Sequence, residues 1–390
     1  MKFYVIAGEP SGDRLGASLI KGFDSILTQP AAFCGVGGPM MMDLGLDSLF
    51  PMEDIAIMGI GEILANYHFL KKRISQTAKA VIAARPDALI TIDAPEFNLR
   101  VAKLVRQKSD IPIIHYVAPT VWAWRPKRAL RMAKHVDHVL ALLPFEPHYM
   151  QEAGISCDFV GHPIVEEPVA TLNAAAAFRA TYDIGGAPLV LCLPGSRRSE
   201  IKHLAPIFGS TIAKLKAVSP QSVIVVPAAE SVAEELRAQI SAWQVDVILL
   251  DPRNHSPDQA ISNKRAAFRA ADVALAASGT VSLELAANQT PMVIGYDMGW
   301  LSRQIIGRLL KTDTITLVNL VSNTRHVPDF MGKKCSPKNL LSALLKALES
   351  PKEQLSAMQS TMDLLGRKQL PPGERAAVSV MDFLNLKIKC

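Results

Sequence analysis

The chain has 390 residues, 49% hydrophobic and 20% charged, so it can bury the cores of two domains. Its formal net charge of +6 favours an anionic ligand or an anionic membrane surface, although a balance this small is also ordinary surface charge. There is no RNP-like aromatic signature or basic arm, which argues against nucleic acid. The five cysteines are scattered and predict reduced structural thiols rather than a metal site.

Short apolar runs alternate with helix-length segments along the chain, which predicts an α/β fold of parallel strands covered by helices on both faces. The predicted strands are residues 3–7, 88–92, 111–117, 136–143, 189–193, 223–226, 245–250, 273–277 and 292–294. The first run is too short for a signal peptide, and no segment has ~18 consecutive apolar residues, so membrane contact is expected to be peripheral. The alternation restarts near residue 185, and only helices are predicted after residue 335.

The first motif, residues 7–13 (AGEPSGD), joins the first strand to a helix. This is the carboxyl edge of a parallel sheet, where ligands bind. Ser11 or Asp13 is predicted to cap the helix. The alternative is a simple turn, and the glycine spacing is not that of a dinucleotide-binding fingerprint.

The second motif, residues 93–98 (DAPEFN), follows the strand at 88–92. Asp93 is therefore a candidate general base that removes a proton from an attacking hydroxyl. The alternative is that Asp93 or Asn98 only caps the next helix.

The third motif, residues 116–125, contains Trp122 and Trp124, and Arg125 begins a run of basic residues. Aromatic faces beside cations suit a sugar or a phosphate. A packed loop between sheet and helix is the alternative.

The fourth motif, residues 193–200 (LPGSRRSE), opens a second strand–loop–helix series. Backbone N–H groups at Gly195 and Ser196 are predicted to form an anion site at a helix N-terminus, and Arg197 adds a cation suited to phosphate. Surface arginines in salt bridges are the alternative.

The fifth motif, residues 277–284 (ASGTVSLE), again consists of small residues before a helix. Ser278, Gly279 and Thr280 allow a diphosphate to sit on the helix N-terminus, and Glu284 is placed to accept ribose hydroxyls. A helix cap with a solvated glutamate is the alternative. The chain has no Asp-x-Asp pair and no histidine ligand pattern, so neither a metal nor another cofactor is expected.

A membrane-facing patch is predicted around Ile57, Met58 and Ile60, because this apolar segment is followed by the basic run at 71–73. An amphipathic helix packed on the core is the alternative.

Ten ordered motifs resemble the lipid-A-disaccharide synthase family, the inverting glycosyltransferases of family 19, and the resemblance runs along nearly the whole chain. The motifs are AGEPSGD (7–13), GVGGP (35–39), MGIGEIL (58–64), IDAPEFN (92–98), HYVAPTVWAWR (115–125), LPFE (143–146), FVGHP (159–163), LPGSR (193–197), ASGTVSLE (277–284) and LVNL (317–320).

The resemblance implies a GT-B architecture of two Rossmann-like domains facing a cleft. Residues 1–170 would form an acceptor and membrane-facing domain joined by the last helices (366–390), and residues 171–365 a UDP-sugar domain. The implied reaction is metal-independent. It condenses UDP-2,3-diacylglucosamine with 2,3-diacylglucosamine 1-phosphate into a β-1,6-linked disaccharide phosphate and UDP. The implied setting is a homodimer on the cytoplasmic face of the bacterial inner membrane.

The resemblance also implies residue roles. Asp93 would be the catalytic carboxylate, and Glu9, Ser11, Asp13, Trp124 and Arg125 would face the acceptor. The donor residues would be Gly195, Ser196, Arg197, Ser278, Gly279, Thr280, Glu284 and Asn319. The chain departs from the family at Met331-Gly332, where a glutamine often stands near the donor.

Two other functions remain open. A nucleotide-sugar epimerase would share the UDP loop but need no acylated acceptor. A two-domain protein that closes around an anion would leave Asp93 without a role, and fold alone does not separate these possibilities.

Overall fold

The computed structural model describes residues 1–55, 67–122, 127–298 and 312–388. The predicted membrane patch (Ile57, Met58, Ile60) and the acceptor residues Trp124 and Arg125 lie outside the described residues. The chain divides into two compact units: unit 1 comprises Met1–Pro163 with the residues from Lys368 onward, and unit 2 is Ile164–Arg367.

Unit 1 contains a parallel sheet of seven described strands in the order β3-β2-β1-β4-β5-β6-β7. The strand order reverses beside β1, and the carboxyl ends of strands at such a switch point are where ligands bind in open α/β sheets. The strands are β1 (Lys2–Ala7), β2 (Ala32–Val36), β3 (Asp47–Ser48), β4 (Ala88–Ile92), β5 (Ile113–Tyr116), β6 (His138–Ala141) and β7 (Ser156–Phe159).

Helices cover both faces of this sheet, because the side chains of a strand alternate between its faces. Tyr4 and Ile6 of β1 belong to one buried cluster, whereas Phe3 and Val5 belong to the other. The helices are α1 (Pro10–Ile26), α2 (Pro39–Met42), α3 (Tyr67–Ala84), α4 (Pro95–Arg106), α5 (Lys127–Met132) and α6 (Glu146–Glu152).

Unit 2 repeats the plan with a parallel sheet of six described strands in the order β10-β9-β8-β11-β12-β13. The strands are β8 (Leu189–Leu193), β9 (Val223–Pro227), β10 (Ile248–Leu250), β11 (Val273–Ala277), β12 (Met292–Tyr296) and β13 (Asp329–Met331). The helices are α7 (Leu172–Thr181), α8 (Arg198–Val218), α9 (Ala233–Ile240), α10 (Pro257–Ala270), α11 (Val281–Asn288), α12 (Leu317–Ser322), α13 (Pro337–Glu349) and α14 (Lys352–Leu364).

The last helix, α15 (Pro372–Ile388), belongs to unit 1 and packs against α1. The two helices approach closely at glycines: a Cβ added at Gly22 would lie 2.2 Å from the Gly373 carbonyl oxygen. Farther along, Ser379 and the buried His138 of β6 share a 2.9 Å hydrogen bond, and the Phe383 ring stacks on the same imidazole. These contacts attach the end of the chain to the first sheet.

The predicted α/β class, with parallel strands between helical layers, is confirmed. Four strands were not predicted, namely β2, β3, β7 and β13. None of the helices in the described ranges is long and apolar enough to span a bilayer.

Candidate functional site

A cavity of about 550 Å³ lies in unit 2 at the carboxyl ends of its central strands. The turn after β8 and the turn after β11 form its two sides, because these strands are hydrogen-bonded neighbours in the sheet. Most of the predicted donor residues line it: Gly195, Ser196, Arg197, Ser278, Gly279, Thr280 and Glu284. Two motifs that are about 80 residues apart in the chain therefore line one cavity.

The turn after β8 is closed by a carboxylate that the sequence analysis missed. Glu200 accepts hydrogen bonds from the backbone N–H groups of Ser196 (3.0 Å) and Arg197 (3.3 Å). Gly195 has a φ of +122°, and a Cβ added there would come within 2.5 Å of the Glu200 side chain. The Ser196 N–H, which was predicted to bind an anion, is therefore hydrogen-bonded to Glu200 in this structure.

Arg197 is the part of this turn that is available to a ligand. Its side chain is 76% exposed, and its Nη1 lies 3.5 Å from Glu200, which is only 16% exposed. Glu200 therefore stabilises the backbone of the turn, while the Arg197 guanidinium remains exposed to solvent. A guanidinium held this way can make paired hydrogen bonds to a phosphate.

The turn after β11 is open on the ligand side. Gly279 has a φ of +153°, and a Cβ added there would meet nothing within 4 Å. Thr280 precedes α11 without a side-chain cap, whereas Ser278 Oγ is occupied by a 2.7 Å hydrogen bond to the Ile315 carbonyl. An uncovered helix N-terminus of this kind favours an anion.

Unit 1 contains a second polar turn, built around Asp93 at the end of β4. Asp93 and Ala94 both take left-handed φ values, +47° and +40°. This conformation is unfavourable for alanine, and aspartate adopts it only occasionally. The buried Asn98 side chain stabilises this turn by donating to the carbonyls of Ile92 (3.0 Å) and Asp93 (2.7 Å). Asn98 therefore supports the turn that presents Asp93, and neither residue caps α4 with its side chain.

Burial raises the pKa of the Asp93 carboxyl above its ordinary value. The Ala94 backbone N–H and the Arg128 charge oppose this shift only in part. The carboxylate is half-buried, so a proton donor can still reach it. A carboxylate with a raised pKa is a stronger base than an exposed one, which suits proton abstraction.

Comparison with known proteins assigns the chain to a family. The family model described as Lipid-A-disaccharide synthetase matches residues 3–377. The lipid-A-disaccharide synthase of Ruegeria pomeroyi is 53% identical over 98% of this chain and 96% of its own length. That of Rhodospirillum centenum is 41% identical over 99% and 95%.

The chain belongs to the lipid-A-disaccharide synthetase family. The resemblance found in the sequence is confirmed. Solved structures agree on the GT-B fold: a UDP-GlcNAc 2-epimerase from Neisseria meningitidis has a TM-score of 0.63 at 14% identity, covering 99% of this chain and all of that one. A glycosyltransferase from Rickettsia africae has a TM-score of 0.58 at 12% identity, covering 98% of each chain. At these identities the likeness concerns the fold alone.

In the first motif, AGEPSGD, the residues do not have the helix-capping role that the sequence predicted. The N-cap of α1 is Glu9, whose side chain makes no capping hydrogen bond, so neither Ser11 nor Asp13 caps the helix. Ser11 is exposed, but Asp13 is 2% exposed and accepts from the backbone N–H groups of Gly38 (2.9 Å), Met40 (2.9 Å) and Met41 (3.1 Å). Asp13 therefore links two family motifs, AGEPSGD and GVGGP, within unit 1.

Asn319 is the predicted donor residue that the structure does not bring to the cavity. It is buried, and its Nδ2 donates to Thr314 Oγ1 (3.0 Å) and to the Val327 carbonyl (2.8 Å). Its Oδ1 accepts from the Val327 N–H at 3.0 Å. Asn319 thus braces the segments that flank α12.

The LPFE motif contributes a buried carboxyl to unit 1. Glu146 accepts from the backbone N–H groups of Leu142 (3.2 Å) and Leu143 (3.0 Å), and burial raises its pKa to about 7. The neighbouring Phe145 ring packs edge-on against Trp122 at 5.4 Å between ring centroids. Trp122 of the third motif therefore packs on LPFE.

Two remaining predictions concern the residue at position 332 and the binding of a metal. At the position where the family often has glutamine, Gly332 adopts a φ of +59°, which favours glycine, and begins a short 3₁₀ turn. Within the ranges that the structure describes, no group of three or more His, Cys, Asp or Glu side chains could hold a metal ion.

Proposed function

We propose that this chain is a lipid-A-disaccharide synthase. It transfers a diacylglucosamine from UDP-2,3-diacylglucosamine to 2,3-diacylglucosamine 1-phosphate, and the products are the β-1,6-linked disaccharide phosphate and UDP. The observation that carries the proposal is the unit 2 cavity, in which an exposed arginine and a helix N-terminus meet in a chain of this family. The same two features bind diphosphates in many α/β proteins.

In the proposed reaction, the 6-hydroxyl of the acceptor attacks the anomeric carbon of the donor from the face opposite UDP. Asp93 takes the hydroxyl proton as the new carbon–oxygen bond forms. The bond between the anomeric carbon and the diphosphate oxygen breaks with its electrons on UDP. Arg197 and the N-terminus of α11 stabilise the charge that develops there, which is the usual role of preorganised charge.

The two units would divide the work. Unit 2 would bind the donor through Gly195, Arg197, Gly279, Thr280 and Glu284. Unit 1 would supply the base and receive the acceptor, with Glu9 and Ser11 at the edge of the sheet beside β1. The left-handed turn at Asp93 supports this division, since strained backbone is concentrated at functional sites.

We also propose that the enzyme is a homodimer on the cytoplasmic face of the inner membrane, contacting anionic lipid through residues 55–73. Phe69 is 41% exposed, and Lys71 and Lys72 are exposed beside it. Arg73 instead pairs with Asp54 and lies over the Phe69 ring, so the two lysines supply the charge.

The membrane proposal predicts that the protein floats with anionic vesicles but not with neutral ones. Polar substitution of Ile57 and Met58 should reduce the fraction of protein that floats. Unchanged flotation would exclude this patch.

The decisive test of the reaction uses the purified full-length chain, both acylated substrates and detergent, without added metal. Mass spectrometry should detect a disaccharide phosphate and an equal amount of UDP, and omission of the acceptor should abolish both. Conversion of the donor sugar to its epimer without a disaccharide would instead support an epimerase. Binding of UDP with no product of either kind would contradict this acceptor.

A further inference from the structure

Lys264 lies in the unit 2 cavity and has no role in the reaction described above. It is on α10, and its Nζ is 2.6 Å from Glu284 Oε2 on the neighbouring helix α11. The same ammonium lies 5.2 Å from the centre of the buried Phe268 ring. Glu284 is thus bound to a cation in this structure, whereas the sequence predicted it as either a ribose ligand or a solvated residue.

This ion pair is too exposed to be explained by stability. The Lys264 side chain is 48% exposed and that of Glu284 is 35% exposed. Pairs of this exposure contribute little to folding, because water screens both charges and the side chains lose conformational entropy. A ligand that excludes water from the cavity would strengthen the interaction.

The charges that line the cavity indicate a function for the Lys264–Glu284 ion pair. The cavity is lined by four carboxylates, Glu200, Glu230, Asp251 and Glu284, although it is proposed to receive a diphosphate. Among its lining residues that the structure describes, the lysine and arginine cations are Lys264 and Arg197. Asp251 is compensated by Arg237 and Arg253, and Glu200 lies beside Arg197. Lys264 is the cation that compensates Glu284.

The position of Glu284 explains why its charge must be compensated. It lies one turn into α11, about 6 Å along the axis from Thr280 at the helix N-terminus. A nucleoside diphosphate that placed its phosphates on that N-terminus would bring its ribose close to Glu284. The carboxylate would then accept ribose hydroxyls while standing near a diphosphate anion.

We infer that Lys264 is a positioning and specificity residue for the nucleoside diphosphate of the donor. It orients the Glu284 carboxylate toward the ribose hydroxyls and cancels the charge that would repel the diphosphate. This inference rests on the proposed function, because it requires that the cavity binds UDP. It assigns the ribose contact to a pair of residues on two helices.

Calorimetric titration of the full-length chain with UDP and with uridine tests the inference. Lys264→Met should weaken UDP binding by roughly ten- to a hundredfold, the loss expected for a charge-assisted contact. Uridine binding should weaken less, because uridine has no diphosphate to be repelled. Lys264→Arg should retain most of the affinity for UDP.

The double variant Lys264→Met/Glu284→Gln separates charge from structure. Removing the uncompensated carboxylate should restore part of the UDP affinity lost in Lys264→Met, which a merely structural lysine would not allow. The matched control is Lys214→Met, an exposed lysine of α8 that does not line the cavity and changes the net charge equally. It should leave the affinity for UDP unchanged.

The possible failures are distinguishable. Equal UDP binding by Lys264→Met and the unsubstituted chain would overturn the inference but leave the proposed function intact. A double variant no better than Lys264→Met would also overturn it. Absence of UDP binding to the unsubstituted chain would instead contradict the proposed function.

Discussion

The two units share the same strand–turn–helix plan, but different residue types adopt positive φ in their turns. In unit 2, the residues with positive φ in the turns after β8 and β11 are glycines, Gly195 and Gly279. In unit 1, the turn after β4 has positive φ at Asp93 and Ala94, which both have side chains. Glycine adopts this conformation at little steric cost, whereas other residues are strained by it.

The difference fits the roles proposed for the two turns. A diphosphate is bound by backbone N–H groups and a nearby cation, so a missing side chain at Gly279 leaves room for the ligand. A general base, the role proposed for Asp93, has to be a side chain, so glycine could not fill that role. Unit 1 therefore retains the strain and stabilises the turn with hydrogen bonds from Asn98.

The largest expected effect comes from removing Asp93, the proposed base in the left-handed turn. Asp93→Asn keeps the shape of the side chain but cannot accept the proton, so kcat should fall by roughly 10²–10⁴-fold. UDP binding measured by titration should be unchanged, because the proposed donor residues are in unit 2. Asp110→Asn, at an exposed aspartate of the same unit, is the control. Near-normal turnover of Asp93→Asn would rule out Asp93 as the base.

The pH dependence of the unsubstituted enzyme sharpens this test. Burial raises the pKa of Asp93, and the base acts only when ionised. Activity should therefore fall as the pH decreases through a value above the ordinary aspartate pKa of about 3.9.

The raised pKa of Asp93 also means that its ionisation lowers the free energy of unfolding as the pH rises through the folded-state pKa. Asp93→Asn should then be more stable than the unsubstituted chain at neutral pH, and this difference should vanish below the unfolded pKa.

In unit 2, Arg197→Met tests the role of the turn after β8. It should lower kcat by about a hundredfold, because charge developing on the diphosphate loses a hydrogen-bonding cation. It should also weaken UDP binding, which Asp93→Asn should not do. Arg198→Met is a matched control, since that side chain is 84% exposed and does not line the cavity. Equal effects of both variants would show that Arg197 acts only through net charge.

A smaller effect is expected from crowding the strained turn without touching Asp93. A Cβ added at Gly8 would lie 2.8 Å from the Ala94 Cβ, so Gly8→Ala should displace the turn. Misplacement of a catalytic group by about 1 Å costs up to about a hundredfold, and we expect a tenfold loss of kcat or more. Gly186→Ala is the control, because a Cβ there meets nothing within 4 Å. Unchanged kcat in Gly8→Ala would show that the turn tolerates the contact.

The contrast between the units also shows what the sequence could predict. The buried central strands β4, β8 and β11 were predicted with the bounds that the structure has, because β8 and β11 are continuous apolar runs and β4 is apolar except for Thr91. Strand β2 was missed because Gly35 interrupts it; a Cβ there would overlap the Val5 carbonyl. Strand β7 was missed because Ser156 and Asp158 alternate with apolar residues at the edge of the sheet.

The two turns that line the cavity were predictable from local sequence, whereas some of the hydrogen-bond partners of the motif residues were not. Small residues between a strand and a helix are visible in the sequence, and they led to the two turns of the cavity. Glu200 could have been found from its position three residues after the N-cap, which is the spacing of a capping box. The bonds of Asp13 to residues 38–41 join segments 25 or more residues apart, and no local pattern indicates such a pairing.

The smallest predicted effect tests the strain itself. Ala94→Gly removes a left-handed alanine, which costs ~1–2 kcal/mol, but adds the entropy of an unfolded glycine, ~0.4–1 kcal/mol. We therefore expect a gain of about 0.5 kcal/mol in the free energy of unfolding, measured with urea. Ala176→Gly, at an exposed position of α7, should instead lose about 1 kcal/mol. If Ala94→Gly is more stable but less active, the strain at this turn serves to orient Asp93, whereas a loss of stability like that of Ala176→Gly would show that the turn stores none.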